Sequence, residues 1–107
     1  MNKQDAELTA RVARRIGAYT DCVQEHGDGW AAIVTWSKDG GFHVFDPTAN
    51  PADERRVWDW LTRERMDVAF ESTRDRIVCT VKYIEWGTGV SPCRVTALLK
   101  AIDALPE

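Results

Sequence analysis

The sequence is poor in the residues that most often form metal sites, with three cysteines and two histidines among 107 residues. Cys22, Cys79 and Cys93 lie far apart and form no CxxC pair, which argues against a disulfide framework and a zinc ribbon. Cys22 and His26 are four residues apart, but two potential ligands do not make a metal site. We therefore predict reduced thiols and no bound metal or other cofactor.

Recognisable catalytic motifs are also absent. Cys93 and His43 could in principle form a nucleophile pair, but Cys93 lies just before an apolar helical stripe, where a small thiol is ordinary packing. The triplet Gly87-Thr88-Gly89 has neither the further glycines of a dinucleotide fingerprint nor the Gly-Lys-Ser/Thr end of a P-loop. The sequence predicts a protein that is not an enzyme.

Long hydrophobic runs and a large charge excess are missing too. No apolar run approaches the roughly twenty residues that a bilayer requires, and the first residues, MNKQDAELTARV, contain no apolar leader. Fourteen Lys and Arg against seventeen Asp and Glu give a net charge of -3, which does not favour nucleic acid as a partner. We expect a cytoplasmic protein without membrane contact, and the length fits one domain over residues 1–107.

The first half of the chain contains a helical pattern, a hairpin pattern and a second helix start. Residues 3–25 repeat apolar side chains at helical spacing, namely Leu8, Val12, Ile16, Tyr19 and Val23. Residues 30–46 are typical of two strands that turn at residues 38–41, where Asp-Gly and Gly-Gly supply positive φ angles. Asn50 and Pro51 resemble an N-cap and a first helical position, which predicts a helix to about residue 65.

The second half centres on RIVCTVKYIEW, residues 76–86, whose Val, Ile, Thr, Tyr and Trp content predicts one long strand. A short strand is expected at 67–72 and a turn at 73–75. Gly87–Gly89 is expected to turn the backbone into a last helix, with Ser91 as N-cap and Pro92 at the first helical position. That helix should end near residue 105, before Pro106.

The predicted order α-β-β-α-β-β-α indicates an α+β protein. Short hairpin connections favour antiparallel neighbours, so we expect one four-stranded, mostly antiparallel sheet. Apolar residues on both faces of the strands favour helices packed on both faces, which is an α/β/α sandwich.

Three segments carry a likeness to a known family: the helix TARVARRIGAY, the FDPTANP lead into a Trp-bearing helix, and SPCRVTALLKAIDAL after the last strand. With the order of elements, they resemble the small phage ABA sandwich domain family. The resemblance implies an α/β/α sandwich encoded by a phage or prophage and present in the bacterial host cell. That family supplies no established activity and no functional residue to carry over.

Three sets of residues are candidates for binding. Trp60 is predicted at the flank of the second helix, and Trp86 at the end of the long strand, where a large ring could anchor a partner protein. A cluster on the first helix could contact phosphate or an acidic surface, although a solvated helix face is the default explanation: Arg11, Arg14 and Arg15. A loop before the last helix could offer backbone N–H groups to an anion: Gly87, Thr88, Gly89 and Ser91.

The leading hypothesis is a small non-enzymatic phage or prophage protein that binds a host or phage protein and inhibits a host or defence factor. The first alternative is a small-molecule or nucleotide-binding domain that uses the Gly87–Gly89 loop. The second is a structural or virion-associated protein. The sequence leaves the oligomeric state open.

Overall fold

A computed structural model describes residues 1–106 of the protein. Within these residues there are three helices and six strands, which we number in chain order: α1 Lys3–Arg15, β1 Thr20–His26, β2 Gly29–Thr35, β3 His43–Phe45, α2 Pro51–Arg63, β4 Asp67–Ser72, β5 Ile77–Lys82, β6 Trp86–Ser91 and α3 Arg94–Asp103. The chain divides into two compact units, an N-terminal unit Met1–Arg56 and a C-terminal unit that begins at Val57. The single domain expected from the sequence stays a prediction.

Helix α1 is shorter than predicted. Its N-terminus is capped by Asn2, whose side-chain oxygen accepts a hydrogen bond of 2.7 Å from the Asp5 N–H. It ends at Arg15, and Gly17 has φ +116°, a conformation that favours glycine and stops the helix. Residues 20–25, predicted as its last turns, instead belong to β1, which ends at His26. The prediction of one helix over 3–25 is therefore wrong beyond Arg15.

The N-terminal unit contains an antiparallel sheet in the order β1-β2-β3. The antiparallel β2–β3 pair confirms the predicted pairing, but residues 36–42 connect the two strands, and Gly40 and Gly41 do not have the positive φ angles expected of them. Helix α1 packs on all three strands. Directly opposed residues share a face of a sheet, and one such row joins Val23, Ala32 and Phe45, of which the last two are fully buried.

Helix α2 begins as predicted. The Asn50 side-chain oxygen accepts a hydrogen bond of 2.9 Å from the Ala52 N–H, and Pro51 takes the first helical position. The helix ends at Arg63, two residues before the predicted end, and Arg65 has a positive φ of 56°. Its buried residues are Val57 and Leu61, which lie on one face of the helix.

The C-terminal unit contains a second antiparallel sheet in the order β4-β5-β6. Strand β4 has the predicted bounds. The predicted single strand over 76–86 is wrong, because β5 ends at Lys82 and the chain reverses before β6 starts at Trp86. Helix α3 packs on β5 and β6 with Leu98, Leu99 and Ile102 buried.

The fold class is α+β with antiparallel strands, as expected, but the strand count and the sheet are different. Six strands form two three-stranded sheets, so the prediction of one four-stranded sheet is wrong. Within each unit a terminal helix, α1 or α3, packs on the sheet of that unit. Among the described residues, no helix is long and apolar enough to cross a bilayer.

Candidate functional site

The hairpin that joins β5 to β6 displays large apolar side chains. Lys82 and Trp86 are directly opposed, so only three residues connect the strands, and the Tyr83 N–H donates a 3.1 Å hydrogen bond to the Glu85 carbonyl. The side chains of Tyr83, Ile84 and Trp86 are 60%, 79% and 64% exposed. Three large apolar groups therefore lie in solvent within four consecutive residues.

Strand β6 alternates buried and exposed positions along its length. Gly87, Gly89 and Ser91 are buried, whereas Trp86, Thr88 and Val90 are exposed. The buried set faces α3, because a Cβ placed on Gly87 or Gly89 would overlap backbone atoms of that helix. Because strand side chains alternate between faces, Trp86, Thr88 and Val90 point to the opposite, outer face of the sheet.

The outer face continues from β6 onto β5. Trp86 lies opposite Lys82, and Val90 lies opposite Val78. The Lys82 ammonium lies 4.8 Å from the centre of the Trp86 ring, a cation–π contact worth about 0.5–1 kcal/mol at an exposed site. This contact restricts the orientation of the indole without covering it. We call Tyr83, Ile84, Trp86 and Val90 the hairpin patch.

The glycines at Gly87 and Gly89 do not form the predicted loop. They lie inside β6, and their missing side chains allow α3 to approach the strand, with the Ala101 carbonyl over Gly87 and the Ala97 carbonyl over Gly89. A loop at a helix N-terminus is thus the wrong description of this segment. Anion binding by these residues stays a prediction. It was based on a loop before a helix, whereas the structure has a strand at this position.

Ser91 also has a different position from the one predicted. It is the last residue of β6, and its Oγ accepts a 3.2 Å hydrogen bond from the Cys93 N–H. The N-cap of α3 is Cys93, which makes no side-chain capping bond. The predicted N-cap is therefore wrong by two positions, because the serine supports the turn that precedes the helix.

The other predicted binding residues are on helices. Trp60 on α2 is half-buried, as expected for the flank of the apolar stripe. Arg11, Arg14 and Arg15 lie on α1 in the N-terminal unit, and Arg15 is half-buried. The guanidinium of Arg14 is 3.8 Å from the Asp21 carboxylate, but its side chain is 79% exposed, so this ion pair contributes little.

Cys22 and Cys93 are exposed, and Cys79 is buried. No group of three or more His, Cys, Asp or Glu side chains able to hold a metal occurs in the described part of the chain. Cys22 and His26 lie on strand β1 rather than on a helix. Burial raises the pKa of the Cys79 thiol to about 11, although Arg94 acts in the opposite direction. A buried thiol that stays protonated at neutral pH is a poor nucleophile.

Sequence reasoning identified Trp86 but missed the rest of the hairpin patch. Tyr83, Ile84 and Glu85 form a turn without Gly, Pro, Asn or Asp, so no residue type marked the reversal. The signal that could have found the patch is the alternation W-G-T-G-V. If the glycines face a helix, then Trp86 and Val90 must face away from it.

Comparison of the chain with protein-family models and with curated proteins finds no match. The likeness to the phage ABA sandwich family therefore stays a prediction from sequence.

Proposed function

We propose that the protein acts by binding another protein through the hairpin patch. The observation that carries this proposal is the exposure of Tyr83, Ile84 and Trp86 on one short hairpin, together with Val90 at 38% on the face that Trp86 occupies. Clustered apolar groups of this size in solvent are typical of a binding surface, whereas single ones are not.

The composition of the patch suits recognition of a folded protein surface. Trp and Tyr are enriched among the residues that dominate binding energies, because they bury a large area and lose few rotamers. Full burial of an aromatic or aliphatic side chain of this size is worth about 1.5–3 kcal/mol. Lys82 and Glu85 border the patch, and Thr88 lies between Trp86 and Val90 on the outer face. Polar groups at the border of a patch stay in contact with water at an interface rim.

The partner that we propose is a host or phage protein, in line with the sequence-based expectation of a phage or prophage origin. Occupation of its surface would inhibit it without chemistry on either protein. This view requires no cofactor and no catalytic residue of the chain. The proposal for the partner rests on the sequence resemblance, and the proposal for the binding surface rests on the geometry.

The test is affinity capture from bacterial lysate with the wild-type chain and two matched variants. Trp86→Ala removes the central ring of the patch, and Phe42→Ala removes an aromatic side chain that is 72% exposed in the N-terminal unit. We expect a protein that is captured by the wild type and by Phe42→Ala and lost with Trp86→Ala. With that partner purified, Trp86→Ala should raise the Kd by about thirtyfold or more.

Thermal melts show whether both variants keep the fold. A partner that Trp86→Ala and the wild type bind equally would refute the hairpin patch as the binding surface. Equal loss of binding in Trp86→Ala and Phe42→Ala would refute it as well, because the effect would then not be specific to the patch.

A further inference from the structure

The outer face of the β4-β5-β6 sheet is open to solvent along its whole length. On the central strand β5, Val78 and Thr80 are half-buried, and the other outer positions of the three strands are exposed. The hairpin patch is therefore continuous with a larger exposed face. That face consists of three rows of directly opposed residues: Asp67–Lys82–Trp86, Ala69–Thr80–Thr88 and Glu71–Val78–Val90.

The two edge strands give this face two different columns of side chains. Strand β4 contributes Asp67 and Glu71, and β6 contributes Trp86 and Val90 in the same two rows. Four residues of a strand span about 13 Å, so each column has that length. Two strand spacings separate the columns by about 10 Å. A pair of carboxylates thus runs parallel to a pair of large apolar side chains.

The cation on this face lies at the apolar column. Lys82 is on β5, between Asp67 and Trp86, and its ammonium is 4.8 Å from the centre of the Trp86 ring. In the turns at the two ends, residues 74–76 carry a net charge of about +1 and Glu85 carries -1, so together they add no net charge. The acidic column is therefore available to a basic group of a partner.

Two kinds of partner fit this distribution poorly. If two copies stack face to face, a central two-fold axis along the strands places Lys82 over Lys82 of the second copy, and an axis across the strands places Asp67 over Glu71 of the second copy. Like charges meet in both arrangements. Nucleic acid would bring its phosphates beside the two carboxylates. A protein segment with both apolar and basic side chains avoids both conflicts.

The sheet face also restricts the backbone of such a segment. Strand hydrogen bonds point toward neighbouring strands, so a segment that lies on the face must pair its own N–H and C=O groups. An α-helix does so internally, and the inner face of the same sheet already receives α3. Eight residues of a helix rise 12 Å, close to the length of a column, and a diameter of about 10–12 Å matches the distance between columns.

We propose that the outer face binds a basic amphipathic helix of the partner protein. This inference rests on the proposed function and specifies the chemistry of the partner. Apolar side chains at positions i, i+4 and i+8 of the helix would contact Trp86 and Val90. Lys or Arg side chains on the flank toward β4 would reach Asp67 and Glu71.

Titration with two synthetic peptides tests the chemistry of the partner. Both peptides have 14 residues with Leu at the same helical positions, and the flanking positions carry Lys in one peptide and Glu in the other. At about 0.15 M salt, distant charges are screened, and we expect the Lys peptide to have a Kd at least about fivefold lower. Peptides of this length are marginal helices in water, so circular dichroism should show a gain of helix when the Lys peptide binds.

Matched charge variants locate the binding face. Asp67→Asn with Glu71→Gln should raise the Kd of the Lys peptide at least about threefold, because two exposed ion pairs are lost. The control is Asp21→Asn with Glu25→Gln, which removes the same charge at the same spacing from an edge strand of the N-terminal unit. It should change the Kd by less than about 1.5-fold. Thermal melts show whether both double variants keep the fold.

Three results would overturn the proposal: equal Kd values for the two peptides, equal effects of the two double variants, or a bound Lys peptide that gains no helix. Binding of a single-stranded oligonucleotide that Asp67→Asn with Glu71→Gln strengthens would overturn it too, in favour of nucleic acid.

This proposal and the proposed function can fail separately. If capture of a lysate protein depends on Trp86 but not on Asp67 and Glu71, the hairpin patch stands as the binding surface and the basic helix is refuted. If the Lys peptide binds through Asp67 and Glu71 while no lysate protein depends on Trp86, the chemistry of the face stands and the proposed function is refuted.

Discussion

Replacing Gly89 by alanine should destabilise the protein, because the added Cβ has no space. It would overlap the Ala97 carbonyl and approach the Ala101 nitrogen to 2.5 Å and the Lys100 Cβ to 2.6 Å. Two of these three atoms belong to the helix backbone, so a side-chain rotation cannot relieve the contact. Helix α3 must move away from β6, or β6 must bend.

The magnitude follows from two opposing effects. Overpacking of a well-filled region costs about 1–3 kcal/mol, and displacement of a backbone rather than a side chain favours the upper part of that range. Replacing glycine also restricts the unfolded chain, which stabilises by about 0.4–1 kcal/mol. The net free energy of unfolding should therefore fall by about 1–2 kcal/mol. For a chain of this size, that loss corresponds to a Tm lower by about 4–16 °C.

Urea denaturation followed by tryptophan fluorescence measures this change. The matched control is Thr88→Ala, one residue away on the exposed outer face, which should change the free energy of unfolding by less than about 0.5 kcal/mol. The explanation from α3 packing is refuted if Gly89→Ala is as stable as Thr88→Ala. That result would instead fit the open glycine loop expected from the sequence.

Two further predictions concern a thiol and a helix cap. At pH 8 a thiol reagent should modify Cys22 and Cys93 in the folded protein and Cys79 only after unfolding, since Cys79 alone is buried. Its folded pKa of about 11 exceeds the unfolded value of 9.0, so its contribution to stability is complete below pH 9 and is lost as pH rises toward 11. Denaturant midpoints should fall less steeply over that interval in Cys79→Ala. Asn50→Ala removes the α2 cap and should lower the free energy of unfolding by about 1 kcal/mol, while Asn50→Asp keeps it; equal losses in both would contradict the cap.

The sequence predicted element boundaries correctly where a residue type is typical of one kind of local structure. Asn50 and Pro51 marked the start of α2, and the glycine cluster at residues 38–41 marked the β2–β3 connection. The Asn-Pro signal acts through local backbone geometry, so it does not depend on distant contacts. The glycines lie in the connection but without the positive φ angles expected of them.

Prediction failed at α1 because one spacing fits two structures. Ile16, Tyr19 and Val23 continue a helical repeat, but Tyr19 and Val23 are also four residues apart, an even number that fits a strand. Pairing of Val23 with Ala32 across the tight turn at Gly27 and Asp28 decides between them, and the local clues were Gly17 and Gly27, both with positive φ. The Gly-Asp turn between residues 20–26 and β2 was a sequence signal for a hairpin, which the helical spacing of the apolar residues obscured.

The hairpin patch was missed because the residue types typical of strands and of turns are exchanged in this segment. The real turn, Tyr83-Ile84-Glu85, has residues typical of a strand, and the real strand contains two glycines typical of a turn. Glycine in β6 is explained by the close approach of α3, which sequence separation hides. Knowledge of that helix contact would have placed Trp86 and Val90 on the outer face.

The alternation of side chains between the two faces of β6 thus determines both how α3 packs on the strand and which side chains are exposed. Because strand positions change face at every residue, the need for glycine under α3 at Gly87 and Gly89 requires Trp86, Thr88 and Val90 to face outward. A shift of β6 by one residue would bury Trp86 and Val90 under the helix, where no side chain fits. The apolar surface is therefore a direct consequence of how α3 docks. Any change that lifts α3 from the strand should therefore disturb the hairpin patch.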